Sequence, residues 1–154
     1  MIPVPDSVWR GALEDFHRGD PRLFQAVQPK SPLPSELCAL VALGRALGIE
    51  EWIESGTYQG YSAAVLSSVA PWSVLTFDSA TVHTIELDPA CTIDQEYVSA
   101  KICHHTGDGS VLVPDLAARA NERGRFGIFL DGPKGLPAAL LAQRVWEDTR
   151  LTNL

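Results

Sequence analysis

The chain has 154 residues, of which 45% are hydrophobic and 20% charged, the proportions of one globular domain with a sizeable core. Its formal net charge of -7 argues against a general nucleic-acid binder, which shows a basic patch or stripe. No apolar run approaches the ~18 residues that cross a bilayer, no basic-then-apolar leader opens the chain, and Cys38, Cys91 and Cys103 lack CxxC spacing. The expectation is a cytoplasmic protein with reduced thiols and neither a membrane nor a nucleic-acid partner.

In chain order, Val8, Trp9, Ala12, Leu13 and Phe16 form a helix-spaced apolar stripe over 7–17, which Gly19-Asp20-Pro21 stops. Leu23 and Phe24 suit a short second helix over 21–27. Pro29, Pro32 and Pro34 keep 28–34 irregular, because each proline fixes φ and removes a donor. That segment reads either as a loop across the mouth of a site or as a plain connector. Residues 1–34 form a lead-in to one Rossmann-like domain over 35–154. Ser35 has the chemistry of an N-cap, and Glu36 suits the first turn of the helix it opens. Leu37, Leu40, Val41, Ala46 and Leu47 fill that helix, and Gly48 ends it.

Strand one is expected over 49–55, with Trp52 and Ile53 at its centre, followed by a glycine loop and a helix over 61–69. Residues 72–81 make a connection longer than the usual two to six residues. Strand two spans 82–87, and 90–100 is weakly helical. Strand three spans 101–105 and a helix spans 111–123, ended by Gly124. Strand four, 126–130, is apolar except for Gly127 and reads as a strand buried on both faces. The last helix, 136–149, carries Leu140, Leu141, Val145 and Trp146.

Alternation of this kind predicts an α/β fold: a doubly wound parallel sheet with right-handed crossovers, preceded by N-terminal helices. Parallel strands end at one edge, where such sheets bind ligands. Glu54, Glu86, Asp108 and Asp131 follow strands one to four, and folding alone does not need carboxylates there. Glu54 and the glycines of the first loop suggest a nucleoside-bearing cofactor. Gly56 and Gly60 would let the backbone approach it, with Thr57, Tyr58 and Ser62 beside them. Each feature also has a plain structural reading. The glycines suit a tight strand–helix turn, Glu86 a surface strand end, and Gly107-Asp108-Gly109 and Asp131-Gly132 ordinary turns. Lys134 suits a solvated position, and His104-His105 a strand end with one ring inward. An NAD-binding Rossmann site remains as an alternative, weakened because Tyr58 stands where the G-x-G-x-x-G pattern needs its second glycine.

Glu54-Ser55-Gly56-Thr57-Tyr58-Gln59-Gly60 resembles the first motif of class I S-adenosylmethionine-dependent methyltransferases, with Tyr58 where many members have a third glycine. Thr84-Ile85-Glu86-Leu87-Asp88-Pro89 resembles their second motif and Gly107-Asp108 their third. Ile128-Phe129-Leu130-Asp131-Gly132 resembles the fourth as it occurs in small-molecule O-methyltransferases. The resemblance covers about 36–146. It implies an S-adenosylmethionine cofactor, with its ribose on Glu86, its adenine amino group near Asp108 and its carboxylate at the start of the helix from Tyr61. It implies methyl transfer to a small molecule, with oxygen as the expected acceptor and Asp131 and Lys134 as the catalytic candidates. Asp131 also matches the position of a magnesium ligand in the metal-dependent members.

That family has seven strands, and here the sequence stops at Leu154 after the helix that leads toward strand five. The expectation is a domain incomplete in its C-terminal half, with strand four covered by a second copy in a homo-oligomer or by the N-terminal helices. A non-catalytic cofactor-binding or assembly module is the alternative to an enzyme.

Overall fold

The computed structural model describes residues 5–18, 34–68, 81–93, 95, 100–132 and 134–150. The expected short helix at 21–27, most of the proline-rich segment and the long connection up to residue 80 lie outside them. Among the described residues nine elements follow in order: α1 (Asp6–Arg18), α2 (Pro34–Leu47), β1 (Glu51–Ser55), α3 (Tyr61–Ser68), β2 (Thr81–Glu86), β3 (Ile102–Thr106), α4 (Gly109–Arg123), β4 (Phe126–Leu130) and α5 (Leu136–Arg150). No helix among the described residues is long and apolar enough to cross a membrane.

The four strands form one parallel sheet in the order β3-β2-β1-β4. Side chains alternate across a strand, and the pairing register sorts them into two layers. Ile53 pairs with His83 and with Ile128, so these three share a face. Ile53 and Ile85 pack there under Val113, Leu116, Ala117 and Ala120 of α4 and Leu141 and Val145 of α5. Trp52 and Val82 point the other way, toward Ala63 and Leu66 of α3. A second core on that side joins Val8 of α1, Leu37, Cys38, Val41 and Ala42 of α2, and Tyr61, Ala64 and Val65 of α3. Each fully buried Ile or Leu in these layers contributes about 1.5–3 kcal/mol.

Small residues set the layer spacing. A Cβ on Gly44 of α2 would fall 2.7 Å from Cζ2 of Trp52, and a Cβ on Gly127 of β4 would overlap the same ring. The single apolar gap in strand four is therefore where the indole of its neighbour lies.

Helix ends depart from the sequence reading at one point. α2 begins at Pro34, so Ser35 lies in its first turn and is not the N-cap. Proline suits that opening position, since its missing N–H would be unpaired there anyway. At the other end Gly48, at φ +64°, sits where expected. Its N–H donates to the Arg45 carbonyl at 3.2 Å, and the Ile49 N–H to Gly44 at 2.8 Å, the paired bonds of a Schellman motif. Inside α4, Pro114 has no N–H for the Ser110 carbonyl one turn earlier. Arg144 of α5 donates to that carbonyl through Nη1 at 3.4 Å.

β4 differs from its expectation. All five of its residues are half-buried and none is buried, because among the described residues it ends the sheet and pairs only with β1. α1 packs against α2 and so does not cover this edge, while the second expected N-terminal helix lies outside the described residues. The stretch expected to be weakly helical, 90–100, opens with a turn in which the Cys91 N–H donates to the Asp88 carbonyl at 3.0 Å, and its residues 94 and 96–99 lie outside the described ones.

Candidate functional site

The carboxyl ends of the four strands bring the first loop, Glu86, Asp108 and Asp131 to one edge of the sheet, as their positions in the sequence require. The loop from Gly56 to Gly60 has three residues in the left-handed region: Gly56 at φ +103°, Tyr58 at +48° and Gly60 at +88°. For tyrosine that region costs on the order of 1–2 kcal/mol. The loop is held at several points. The Gly56 and Thr57 N–H groups donate to the Ile85 carbonyl at 2.9 and 3.3 Å, and the Gly60 N–H to Thr57 at 2.8 Å. The Tyr58 N–H donates to Oε2 of Glu86 at 3.0 Å.

Gly56 and Gly60 are needed by the protein itself. A Cβ on Gly56 would lie 3.0 Å from the Gly132 nitrogen and 3.2 Å from the Asp131 carbonyl carbon. One on Gly60 would lie 2.7 Å from Cγ2 of Ile93. The loops after β1 and β4 thus touch backbone to backbone. The Asp131 and Gly132 N–H groups donate to the Ser55 carbonyl at 2.9 and 2.8 Å, and the Ser55 hydroxyl donates to the Gly132 carbonyl.

Glu54 lies beneath that loop, fully buried. It shares its face with Trp52, and strand alternation carries it under α3 and away from solvent. The Ser62 hydroxyl donates to its Oε1, and the Thr84 hydroxyl to its Oε2 at 2.7 Å. The Thr57 and Thr84 hydroxyl oxygens stand 2.5 Å apart. While Thr84 gives its one proton to Glu54, the proton in that second bond comes from Thr57. Burial pushes the Glu54 carboxyl up to about 7, against the downward pull of both hydroxyls, and the Asp131 and Glu86 charges push it the same way as burial.

Glu86 faces the loop at the end of β2. Its Oε2 takes the Tyr58 N–H, and its Oε1 takes the N–H groups of Leu87 at 2.9 Å and Asp88 at 3.3 Å. Asp108 is the N-cap of α4: its Oδ1 accepts the Ser110 N–H at 2.8 Å, and that bond holds the exposed carboxyl below the usual aspartate range. Asp131 forms an ion pair with Lys134 in the same turn, with the carboxylate side chain 21% exposed and the lysine 77%. That ammonium occupies one side of the carboxylate expected to hold magnesium. Among the described residues no group of three or more His, Cys, Asp or Glu is gathered as a metal site. The described residues around Asp131 do not fit a magnesium ion.

Sequence reasoning missed Thr84, which completes the bonding of Glu54. A hydroxyl residue at the same strand parity as Val82 was the available signal, since both are fully buried. It missed Ser55 as well, whose Oγ would lie 2.5 Å from a Cβ on Gly109, so the third loop lies close against the end of β1. It also missed a polar cluster on the opposite face. Nδ1 of His83 and Nε2 of His105 are 3.0 Å apart. Nε2 of His83 is 3.1 Å from Glu51, which Arg123 grips with two bonds of 3.1 and 2.5 Å.

No protein-family model matches the chain, and neither does any curated protein. Solved structures do. An O-methyltransferase from Bacillus cereus, in complex with S-adenosylhomocysteine (SAH), is similar at a TM-score of 0.51 and 20% identity, over 94% of this chain and 63% of that one. An SAH-bound methyltransferase from Podospora anserina is similar at a TM-score of 0.53 and 19% identity, over 97% of this chain and 58% of that one. These likenesses show the fold, a Rossmann-like α/β sheet of the kind those methyltransferases have. The chain spans about three-fifths of their length.

Proposed function

We propose that the chain carries the S-adenosylmethionine-binding part of a methyltransferase that acts on a small molecule at oxygen. The observation that carries this reading is the pinned first loop, held by Glu86 through the Tyr58 N–H at the carboxyl ends of β1 and β2. Two proteins of the same fold hold the demethylated form of that cofactor. The donor chemistry fits. A carboxylate has about four lone-pair sites, and Oε2 of Glu86 has given one to Tyr58, so it retains capacity for a ribose hydroxyl. NAD is the poorer match because a dinucleotide loop needs a second glycine where Tyr58 stands.

In this reading S-adenosylmethionine supplies an electrophilic methyl group on a sulfonium. The chain supplies position. Glu86 takes a ribose hydroxyl, and the backbone N–H groups that open α3 take the cofactor carboxylate at the positive end of the helix. Asp108 caps α4 with one oxygen and offers the other to the adenine amino group. Thr57 and Tyr58 flank the methionine part, while Glu54 and Ser62 hold the loop from below. Asp131 accepts the proton of the substrate hydroxyl, and Lys134 beside it orients and stabilises the resulting oxyanion. Holding the nucleophile in line with the methyl group is the larger part of such catalysis. We also infer that the β4 edge pairs with a second copy of the chain, since a half-buried apolar edge strand favours strand addition.

Isothermal titration calorimetry with S-adenosylmethionine and S-adenosylhomocysteine tests the cofactor. Saturable binding of both is expected, with Glu86→Ala weakened at least ~10-fold, the equivalent of about 1.4 kcal/mol. Equal affinity in that variant would remove Glu86 from the site. Mass spectrometry of products from hydroxylated small-molecule acceptors then tests transfer.

A further inference from the structure

Glu54 is an unusual group to place under a cofactor loop. It is fully buried, yet what holds it is two hydroxyls, Ser62 and Thr84, and no cation among the described residues bonds to it. The charges acting on it come from Glu86 at the end of β2 and Asp131 after β4, and both are negative. From α3 it meets Ser62, next to Tyr61, the titratable residue of that helix. The Lys134 ammonium is committed to Asp131 and is 77% exposed. A buried carboxylate without a cation is costly, and taking up a proton removes the cost. A cationic ligand arriving above it would remove that cost too.

We propose that Glu54 senses the charge of the ligand: it carries a proton while the crevice is empty and loses it when a ligand bearing sulfonium and ammonium charges binds. This rests on the reading of the site as one for S-adenosylmethionine. The hydroxyl chain suits both states. With Glu54 ionised, Thr57 donates to Thr84 and Thr84 to Glu54. With Glu54 protonated on Oε2, it donates to Thr84, Thr84 to Thr57, and every bond keeps one donor and one acceptor. In the binding step the Glu54 O–H bond breaks, its proton passes to a buffer base, and the carboxylate keeps the electron pair. The position of the carboxyl near 7 places this exchange in the neutral range.

The consequence is selectivity. Ligands carrying more positive charge deprotonate Glu54 and gain attraction from it, while S-adenosylhomocysteine, lacking the sulfonium, gains less. Glu54 is thus a positioning and specificity residue that acts through charge from beneath the loop.

Calorimetry of S-adenosylmethionine binding to the full chain at pH 6.5, in two buffers of unlike ionisation enthalpy, counts the protons exchanged. At that pH the ligand ammonium is already protonated, its group titrating at about 7.7–8.0. With Glu54 at about 7, release of roughly three-quarters of a proton per ligand is expected, and less with S-adenosylhomocysteine. Glu54→Gln should bind with no release. Should that variant not fold, infrared spectroscopy of the wild type decides: a protonated-carboxyl carbonyl band present in the unliganded protein must vanish on binding. Binding with no proton exchanged, equal release in Glu54→Gln, or a band absent before ligand is added each overturns the inference. Failure of the wild type to bind either ligand is a separate result, and it overturns the cofactor reading itself.

Discussion

Gly56→Ala probes the contact between the first and fourth loops most directly. Gly56 sits at φ +103°, where an L-residue is strained by about 1–3 kcal/mol. Its new Cβ would also press on the Gly132 nitrogen at 3.0 Å and the Asp131 carbonyl carbon at 3.2 Å. Both are backbone atoms tied to Ser55, so no side chain can rotate away, and overpacking of this kind costs about 1–3 kcal/mol more. A loss near ~3 kcal/mol is a large part of the ~5–15 kcal/mol that holds a domain folded. It should lower Tm by about 6–12 °C at this chain length. Two neighbouring glycines calibrate the effect. Gly135, at φ +72° with nothing within 4 Å, should lose only the conformational part, about 1–2 kcal/mol, on change to alanine. A Cβ on Gly132 meets the Gly56 Cα at an ordinary 3.7 Å, so Gly132→Ala should leave Tm within ~2 °C. The assay is thermal unfolding by circular dichroism, with S-adenosylmethionine binding measured on each variant. If Gly56→Ala is no less stable than Gly135→Ala, the two loops do not meet as described and the site built on them fails.

Burial lowers the affinity of both His83 and His105 for protons, so each binds fewer protons folded than unfolded. Stability from this pair is then fully present above the ordinary histidine range and falls as pH drops through about 6.5 and below. His105→Gln should flatten that acid limb in Tm measured from pH 8 to pH 5; an unchanged slope would sink the assignment. Glu54 acts in the opposite sense, its raised carboxyl giving stability below about 4.5 that is lost as pH rises through about 7. Glu54→Gln should therefore gain stability relative to wild type at pH 8 compared with pH 5. At the β4 edge a groove of about 400 Å³ is lined by Phe126, Ile128, Leu130, Val145 and Trp146, with Trp146 68% exposed. Light scattering should show concentration-dependent association that Trp146→Glu reduces at unchanged Tm; a wild type monomeric at all concentrations would refute pairing at this edge.

The sheet was legible because its signals are local. Acid-and-glycine strand ends, Gly48 and the apolar centre of β1 each depend on a few neighbouring residues, and the structure places them as expected. What was not legible depends on partners far along the chain. Glu51 and Arg123 are separated by 72 positions, and His83 and His105 by 22. Nothing in either neighbourhood announces the other until parallel pairing brings β2 beside β3 and α4 over β1. The burial of β4 was misjudged for a related reason: an apolar run shows that a strand can be covered on both faces, while its place in the strand order decides whether it is.

The acids at the strand ends show the same division. Composition made Glu54, Glu86, Asp108 and Asp131 equivalent, and packing made them four different groups. Alternation turns Glu54 inward with Trp52, so its carboxyl is buried and its protonation becomes a variable near neutral pH. Glu86 spends part of its capacity fixing the Tyr58 backbone in a left-handed conformation and keeps the rest at the crevice. Asp108 spends one oxygen on the start of α4, and Asp131 pairs with Lys134. Of the four, only Glu54 has neither a cation among the described residues nor solvent to balance its charge. Its ionisation, more than the glycines that first mark the loop, is therefore what a bound cation would change.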